Sequence, residues 1–295
     1  VQHKVVLAVE NDKYPITAYN AIHDTNFKPI DITQLDERDV PDCDIICYSP
    51  PCQPFSRQGK ELGFEDQRGI LFFDALRIIK EKQPKYAIME NVKGLTQKKF
   101  KNEFKTMLDE LEKAGYKNYW KVLNALDYGF PQNRERVFIV SIRKDIDQVF
   151  SFPNKNEICN NLLDYLEEDA VLPILHNIYG GFKEKEPRIF YHYSPTIRTA
   201  VGGGHIPSVC TKYELRVEKE IFGYKIRTMT PKECFLLMGF TEDDYNKAKE
   251  AINNTYFKGK DKSRTRLYKL AGNSIVVKVC EEIFKQLLHT YINKL

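Results

Sequence analysis

The stretch "YSPPCQPFSRQGK", from Tyr48 to Lys60, runs an apolar segment straight into two prolines and a cysteine. Proline has no N–H to give to a strand ladder, so the chain must leave its sheet as Cys52 arrives. Cys52 is then either a structural thiol, the ordinary fate of a free cysteine, or a nucleophile displayed at a strand-to-loop junction. There, helix amino ends and basic groups bring a thiol below its ordinary pKa of about 8.5. Other polar groups also follow apolar runs. In "MENVKGL", Glu90 and Asn91 come after "YAI"; a partly buried carboxylate there can hold a proton for a ring nitrogen, or cap a helix. In "GFPQNRERVFIV", Arg134 and Arg136 stand two apart, on one side of a strand. Planar guanidinium groups suit a carbonyl or phosphate oxygen, but a solvated edge around Glu135 fits equally. Glu10, after "VVLAV", can accept both hydroxyls of a ribose or serve as a helix-start charge. Asp31 in "KPIDIT" can take an adenine amino group beside a covering Ile32, or cap a turn.

Elements that would hold these residues at one edge are legible in the hydrophobic pattern. "KVVLAVE", "CDIICYS", "KYAIMEN" and "RVFIVSI" read as strands, with helices over "YPITAYNAIHD", "GILFFDALRIIKEK" and "KNEFKTMLDELEKAG" between them. That alternation predicts a parallel sheet covered on both faces, with ligands at its carboxyl edge. Beyond about residue 150 the pattern turns irregular. "TPKECFLLMGF" carries a Thr-Pro helix start, and "SIVVKVCEEIFKQLLHTYI" reads as one amphipathic helix. The formal charge of +4 rests on 45 basic and 41 acidic residues, so attraction to a polyanion must come from local clusters such as "KGKDKSRTRLYK". Seven cysteines at irregular spacing read as reduced and intracellular, and they lack the ligand spacing of a metal site. No run approaches the roughly 18 apolar residues of a membrane span, and no signal peptide opens the chain, so the reading is a soluble cytoplasmic protein that uses no metal.

The order of "PPCQPFS", "MENV", "PQNRERVF", "TPKECFLLMGF" and "AGNSIVV" resembles the DNA (cytosine-5)-methyltransferase family of the bacterial or phage restriction-modification type. The resemblance implies an α/β, Rossmann-like sheet that uses S-adenosylmethionine, with a smaller irregular target-recognition domain. Residues 1–172, completed by 264–295, would be the catalytic domain, and 173–263 the recognition domain and hinge. Cys52 would be the nucleophile toward a flipped-out cytosine in duplex DNA, with Glu90, Arg134 and Arg136 as its catalytic partners. The family's pattern puts Glu10, Asp31, Ile32, Pro51, Asn273 and Ser274 around the methyl donor, which leaves as S-adenosylhomocysteine. Gln53, Ser56 and Asn91 would meet the substrate, as would Gly202, Gly203 and Gly204 of "SPTIRTAVGGGH" and the cations Lys260, Lys262 and Arg264.

The resemblance departs from the family in two places. The family's first motif, a strand followed by a Phe- and Gly-rich loop, is absent; the sequence opens at Val1 in the next strand, and the motif is expected upstream or on a second chain. Asn11 stands where the family often has an aromatic residue to stack on adenine. The expected partners are double-stranded DNA and a cognate restriction endonuclease without stable contact, with the protein itself a monomer. A tRNA cytosine methyltransferase and a DNA-binding subunit of a split enzyme are the alternatives. The first typically carries a Cys-Phe-Thr triplet in the middle region, which this sequence lacks.

Overall fold

The computed structural model describes residues 3–51, 71–155, 160–176, 188–200, 206–214 and 222–292. The first helix, α1 (Lys13–His23), begins where Asp12 accepts the Tyr14 N–H and stops at Asp24 in the left-handed region. Strand β1 (Ile45–Tyr48), helix α2 (Leu71–Lys82), β2 (Tyr86–Val92), α3 (Lys101–Lys113), β3 (Tyr116–Asn124), the short β4 (Gln132–Asn133) and β5 (Glu135–Arg143) follow. They build a four-stranded sheet in the order β1-β2-β5-β3.

The sheet departs from the all-parallel expectation. Only β1 and β2 are parallel; β5 runs antiparallel to both β2 and β3. The reason is the connection from β3 to β5, a single 3-10 turn and β4 with no crossover helix, which can only reverse the chain. Nor do residues 4–10 form a strand. Among the described residues no strand lies beside them to exchange backbone hydrogen bonds, and Val5, Val6 and Val9 stand exposed.

Alternation along the strands divides the interior into two cores. Ala87 and Met89 of β2 with Val137 and Ile139 of β5 pack under α2 and α3, against Phe72, Ile79, Phe104, Met107 and Leu111. Tyr86, Ile88, Phe138, Val140 and Ile142 face the other way, toward the C-terminal helices. The prediction that both faces are covered therefore holds.

A second, antiparallel sheet has the order β10-β9-β6-β7, built from β6 (Ala170–His176), β7 (Arg188–Phe190), β9 (Ser208–Glu214) and β10 (Phe222–Thr228). Its register shifts between Val171 and Ile174, where Pro173 has no N–H for the ladder. The two-residue β8 (Ser194–Pro195) pairs with β4 of the first half. Helix α4 (Pro231–Leu237) starts with a reciprocal cap between Thr230 and Glu233, and α5 (Glu242–Phe257) with one between Thr241 and Asp244. Helices α6 (Arg264–Asn273) and α7 (Val277–Ile292) complete the chain. Although α5 lies inside the 173–263 segment, it packs on α1: Tyr256 meets the Tyr14 ring at 4.8 Å and the Thr17 hydroxyl at 3.0 Å.

Candidate active site

Parity explains which side chains meet at the carboxyl end of β1 and β2. In the parallel register Cys47 faces Ile88, so the next residues on that face are Ser49 and Glu90. In the antiparallel register Val92 faces Arg136 and Glu90 faces Phe138, which makes Glu90 and Arg136 diagonal neighbours. The Arg136 Nε lies 2.9 Å from Glu90 Oε1 in an ion pair, and the Ser49 hydroxyl donates to Glu90 Oε2 at 2.6 Å. Glu90 is buried, with both carboxyl oxygens engaged. Asn91, fully buried, donates through Nδ2 to the Pro50 carbonyl at 3.1 Å and so fastens the chain at the residue before Pro51. A cleft of about 180 Å³ opens here between Cys47, Ser49 and Glu90 on one side and Ile275, Cys280 and Phe284 on the other.

Cys52, Gln53, Ser56, Gly202, Gly203 and Gly204 lie outside the described residues. The five described cysteines, Cys43, Cys47, Cys210, Cys234 and Cys280, all have thiols that burial pushes up. Cys280, beside the cleft, reaches about 12 and stays protonated near neutrality. None of the five is poised as a thiolate.

Arg134 departs from expectation. It was to share a side with Arg136, but it sits between β4 and β5, where the chain passes from one sheet to the other. Its guanidinium is 3% exposed and donates to the carbonyls of Ile197, Gly272 and Ser274 at 2.9, 2.9 and 2.7 Å. It is a clamp on the backbone of α6 and of the 194–197 segment. Gln132, which sequence reasoning passed over, does the same: it accepts the Ile197 N–H and donates to the Leu237 carbonyl. Gly272 is needed at this crossing, because a Cβ there would meet the Arg198 carbonyl carbon at 2.4 Å.

The residues assigned to the methyl donor fall into two groups. The Ile30 N–H bonds the Glu10 carbonyl at 2.9 Å, which brings Glu10 beside Asp31 and Ile32. Glu10 Oε1 accepts the Asp12 N–H, and Asp31 Oδ1 caps the turn at Thr33. That cap holds the Asp31 carboxyl below its usual range. The second oxygen of each carboxylate has no partner among the described residues, a donor-seeking pair that suits ribose hydroxyls and an amino group. Asn273 ends α6 exposed, and Ser274 caps it by donating to the Leu270 carbonyl.

In the basic stretch 258–269, residues 258–263 form the loop after α5 and 264–269 begin α6. Lys260, Lys262 and Arg264 are exposed. Lys269 bonds Asp12 at 2.7 Å, and Arg266 stacks 4.6 Å over the Tyr14 ring. Sequence reasoning also missed Ser49, although the two-residue alternation from Cys47 points to it.

A mixed sheet with helices on both faces and a buried acid–arginine pair beside the Pro-Pro segment that leaves β1 defines the class of Rossmann-like methyltransferases. The comparisons narrow it. The sequence profile of the C-5 cytosine-specific DNA methylases matches residues 1–289, and the chain belongs to that family. It is 37% identical over 285 residues to the type II methyltransferase M.NgoBI of Neisseria gonorrhoeae, spanning 94% of this chain and 83% of the relative. It is 34% identical over 297 residues to M.HhaI of Haemophilus parahaemolyticus, spanning 94% and 85%. Its fold matches the crystal structure of the S. pombe Dnmt2 methyltransferase with a TM-score of 0.66 at 22% identity, over 98% of this chain and 92% of that one. The chain is thus a DNA (cytosine-5)-methyltransferase of the restriction-modification type.

Proposed function

We propose that the protein methylates carbon 5 of a cytosine flipped out of a specific duplex DNA sequence, through a covalent adduct on Cys52. The observation that carries this reading is the Glu90 carboxyl held between Ser49 and Arg136, beside the Pro50–Pro51 turn that leads into Cys52. The Cys52 thiolate adds to carbon 6, Glu90 gives its proton to N3, and carbon 5 becomes an enamine carbon able to take a methyl group. Arg136 Nη2, without a partner among the described residues, reaches the ring O2 and offsets the charge that grows there. S-adenosylmethionine, when bound, supplies the methyl on an electrophilic sulfonium. Glu10, Asp31 and Ile32 hold its nucleoside end; Pro51, Asn273 and Ser274 line the other. After methylation a water molecule takes the carbon 5 proton, the electron pair of that C–H bond restores the ring double bond as the thiolate leaves carbon 6, and the N3 proton returns to Glu90.

Flipping costs a few kcal/mol, recovered in contacts to the base and to flanking phosphates. In this reading Gln53, Ser56 and Asn91 shape the base pocket. Residues 173–263 read the sequence through the Gly202–Gly204 run, while 1–172 with 264–295 carry the chemistry. Lys260, Lys262 and Arg264 take phosphates, and Arg134 acts by fixing the head of β5. The protein works as a cytoplasmic monomer, with a cognate endonuclease acting on the same site without stable contact. Among the described residues no helix is long and apolar enough to cross a membrane.

A duplex bearing 5-fluorocytosine tests the chemistry, because fluorine cannot leave as a proton and the adduct stays trapped. Parent protein with S-adenosylmethionine should give a denaturation-resistant complex, and Cys52→Ser should give none while still binding DNA. An equal adduct in the serine variant, or methyl transfer to tRNA alone, overturns the reading.

A further inference from the structure

The site has one more contributor than the assigned residues. We propose that Ser49 is a positioning residue that holds the Glu90 carboxyl in its working plane and stays bonded to it through the proton transfer. This inference rests on the reading of the chain as a cytosine methyltransferase.

The terminal torsion of a glutamate is soft, so a single bond leaves its second oxygen free to swing. Arg136 pairs with Oε1 through Nε, 2.9 Å away. The Ser49 hydroxyl, 2.6 Å from Oε2, supplies the second point. Its place is set by the backbone: Ser49 is the first residue past β1, on the face shared by Cys47, Ile88 and Glu90.

The two partners differ in what they can do. A guanidinium only donates, so Oε1 facing Arg136 has no use for a proton. The proton of neutral Glu90 therefore belongs on Oε2, where the O–H points at the ring while the Ser49 hydroxyl donates to the lone pair that remains on that oxygen. When that proton moves to N3 of the ring, the electron pair of the O–H bond stays on the carboxylate. The Ser49 hydroxyl goes on donating to Oε2, which has now gained charge. Its bond is strongest after the transfer, which is the condition for speeding a step and not merely binding its substrate. Collapse of the adduct returns the proton to Oε2. Asn91 holds the neighbouring Pro50 carbonyl independently, so removing the Ser49 hydroxyl leaves the loop's fastening in place.

The test is single-turnover methyl transfer by the full-length protein to a cytosine duplex, with dissociation constants for DNA and for S-adenosylmethionine measured alongside. Ser49→Ala should slow the chemical step roughly 10- to 100-fold, the worth of one hydrogen bond to a charged group. Both dissociation constants and the melting temperature should stay near the parent's, and Ser49→Thr, which keeps a hydroxyl, should recover most of the rate. In a Glu90→Gln background Ser49→Ala should slow the reaction no more than about 2-fold, because its effect passes through the carboxyl. A Ser49→Ala rate within about 2-fold of parent overturns the inference. So does a Ser49→Ala loss that is as large in the Glu90→Gln background, since the hydroxyl would then act on the loop. A parent inactive on every cytosine duplex overturns the functional reading and this inference together, whereas an active parent with an unaffected Ser49→Ala variant sinks this inference alone.

Discussion

Replacing Arg134 with alanine isolates what a clamp on the backbone is worth. The guanidinium makes three bonds to carbonyls, at 2.9 Å to Ile197, 2.9 Å to Gly272 and 2.7 Å to Ser274, and it is almost wholly buried. A bond from a charged donor contributes about 1.5 kcal/mol at the low end of its range. The alanine variant loses all three, but it is also relieved of burying a cation, which offsets part of the loss. The expected cost is about 3 kcal/mol, a fall of roughly 6–12 °C in melting temperature for a chain of this size. Arg134→Lys should lose most of the same stability, because one ammonium cannot span three acceptors on two segments. Urea unfolding followed by far-ultraviolet circular dichroism measures it. An alanine variant within about 1 kcal/mol of the parent would refute the clamp, and Arg134 would then have to be sought at the substrate.

Gly272→Ala should destabilise by at least about 3 kcal/mol, because its Cβ would fall 2.4–2.6 Å from the backbone of Arg198 and Thr199; a thermal melt checks it. Asp12 is held below its usual range: burial opposes ionisation, but bonds from Lys269 and the Tyr14 N–H outweigh it. Its stabilisation is therefore present above the unfolded carboxylate pKa and lost as pH falls through the lower folded one. Asp12→Asn should lower stability to urea modestly at pH 7, by no more than about 1 kcal/mol for a part-exposed pair, and the difference should shrink as pH falls below the ordinary carboxylate range. Glu90→Gln should slow methyl transfer roughly 10²- to 10⁴-fold with a smaller effect on donor binding, read by single-turnover rates.

Most elements were legible because they carry their own signals. Apolar spacing marked α2 and α3, Thr230 and Pro231 marked α4, and the apolar runs of β2 and β5 marked a buried sheet. Strand β3 was not legible: Lys117 and Lys121 interrupt it, and as an edge strand it leaves Trp120 half exposed. "KVVLAVE" has strand composition, yet a strand exists only through its neighbour, and composition cannot report one. At the site, Glu90 and Arg136 could be read as residues flanking strands, and their contact follows from register. The same argument misplaced Arg134, because parity holds only within one strand and the chain changes sheets at that residue. Ser49 has a common side chain, and only its neighbour across the sheet gives it meaning.

The reversed course of β5 constrains how the chain can vary in length. A parallel sheet gathers at its carboxyl edge only residues that leave strands, but β5 brings Arg136 there as it enters one. The few residues before it are pinned: Gln132 to Ile197 and Leu237, Arg134 to α6. One residue inserted between Gln132 and Arg136 would turn Arg136 to the opposite face, away from Glu90. After Arg143 the chain is tied again, by Gln148 to Tyr86 and to Leu287, but at the end of β2 away from Glu90, so a change of length beyond Gln148 leaves the acid–arginine pair where it is. Insertions and deletions should therefore be tolerated beyond Gln148 and rejected ahead of β5.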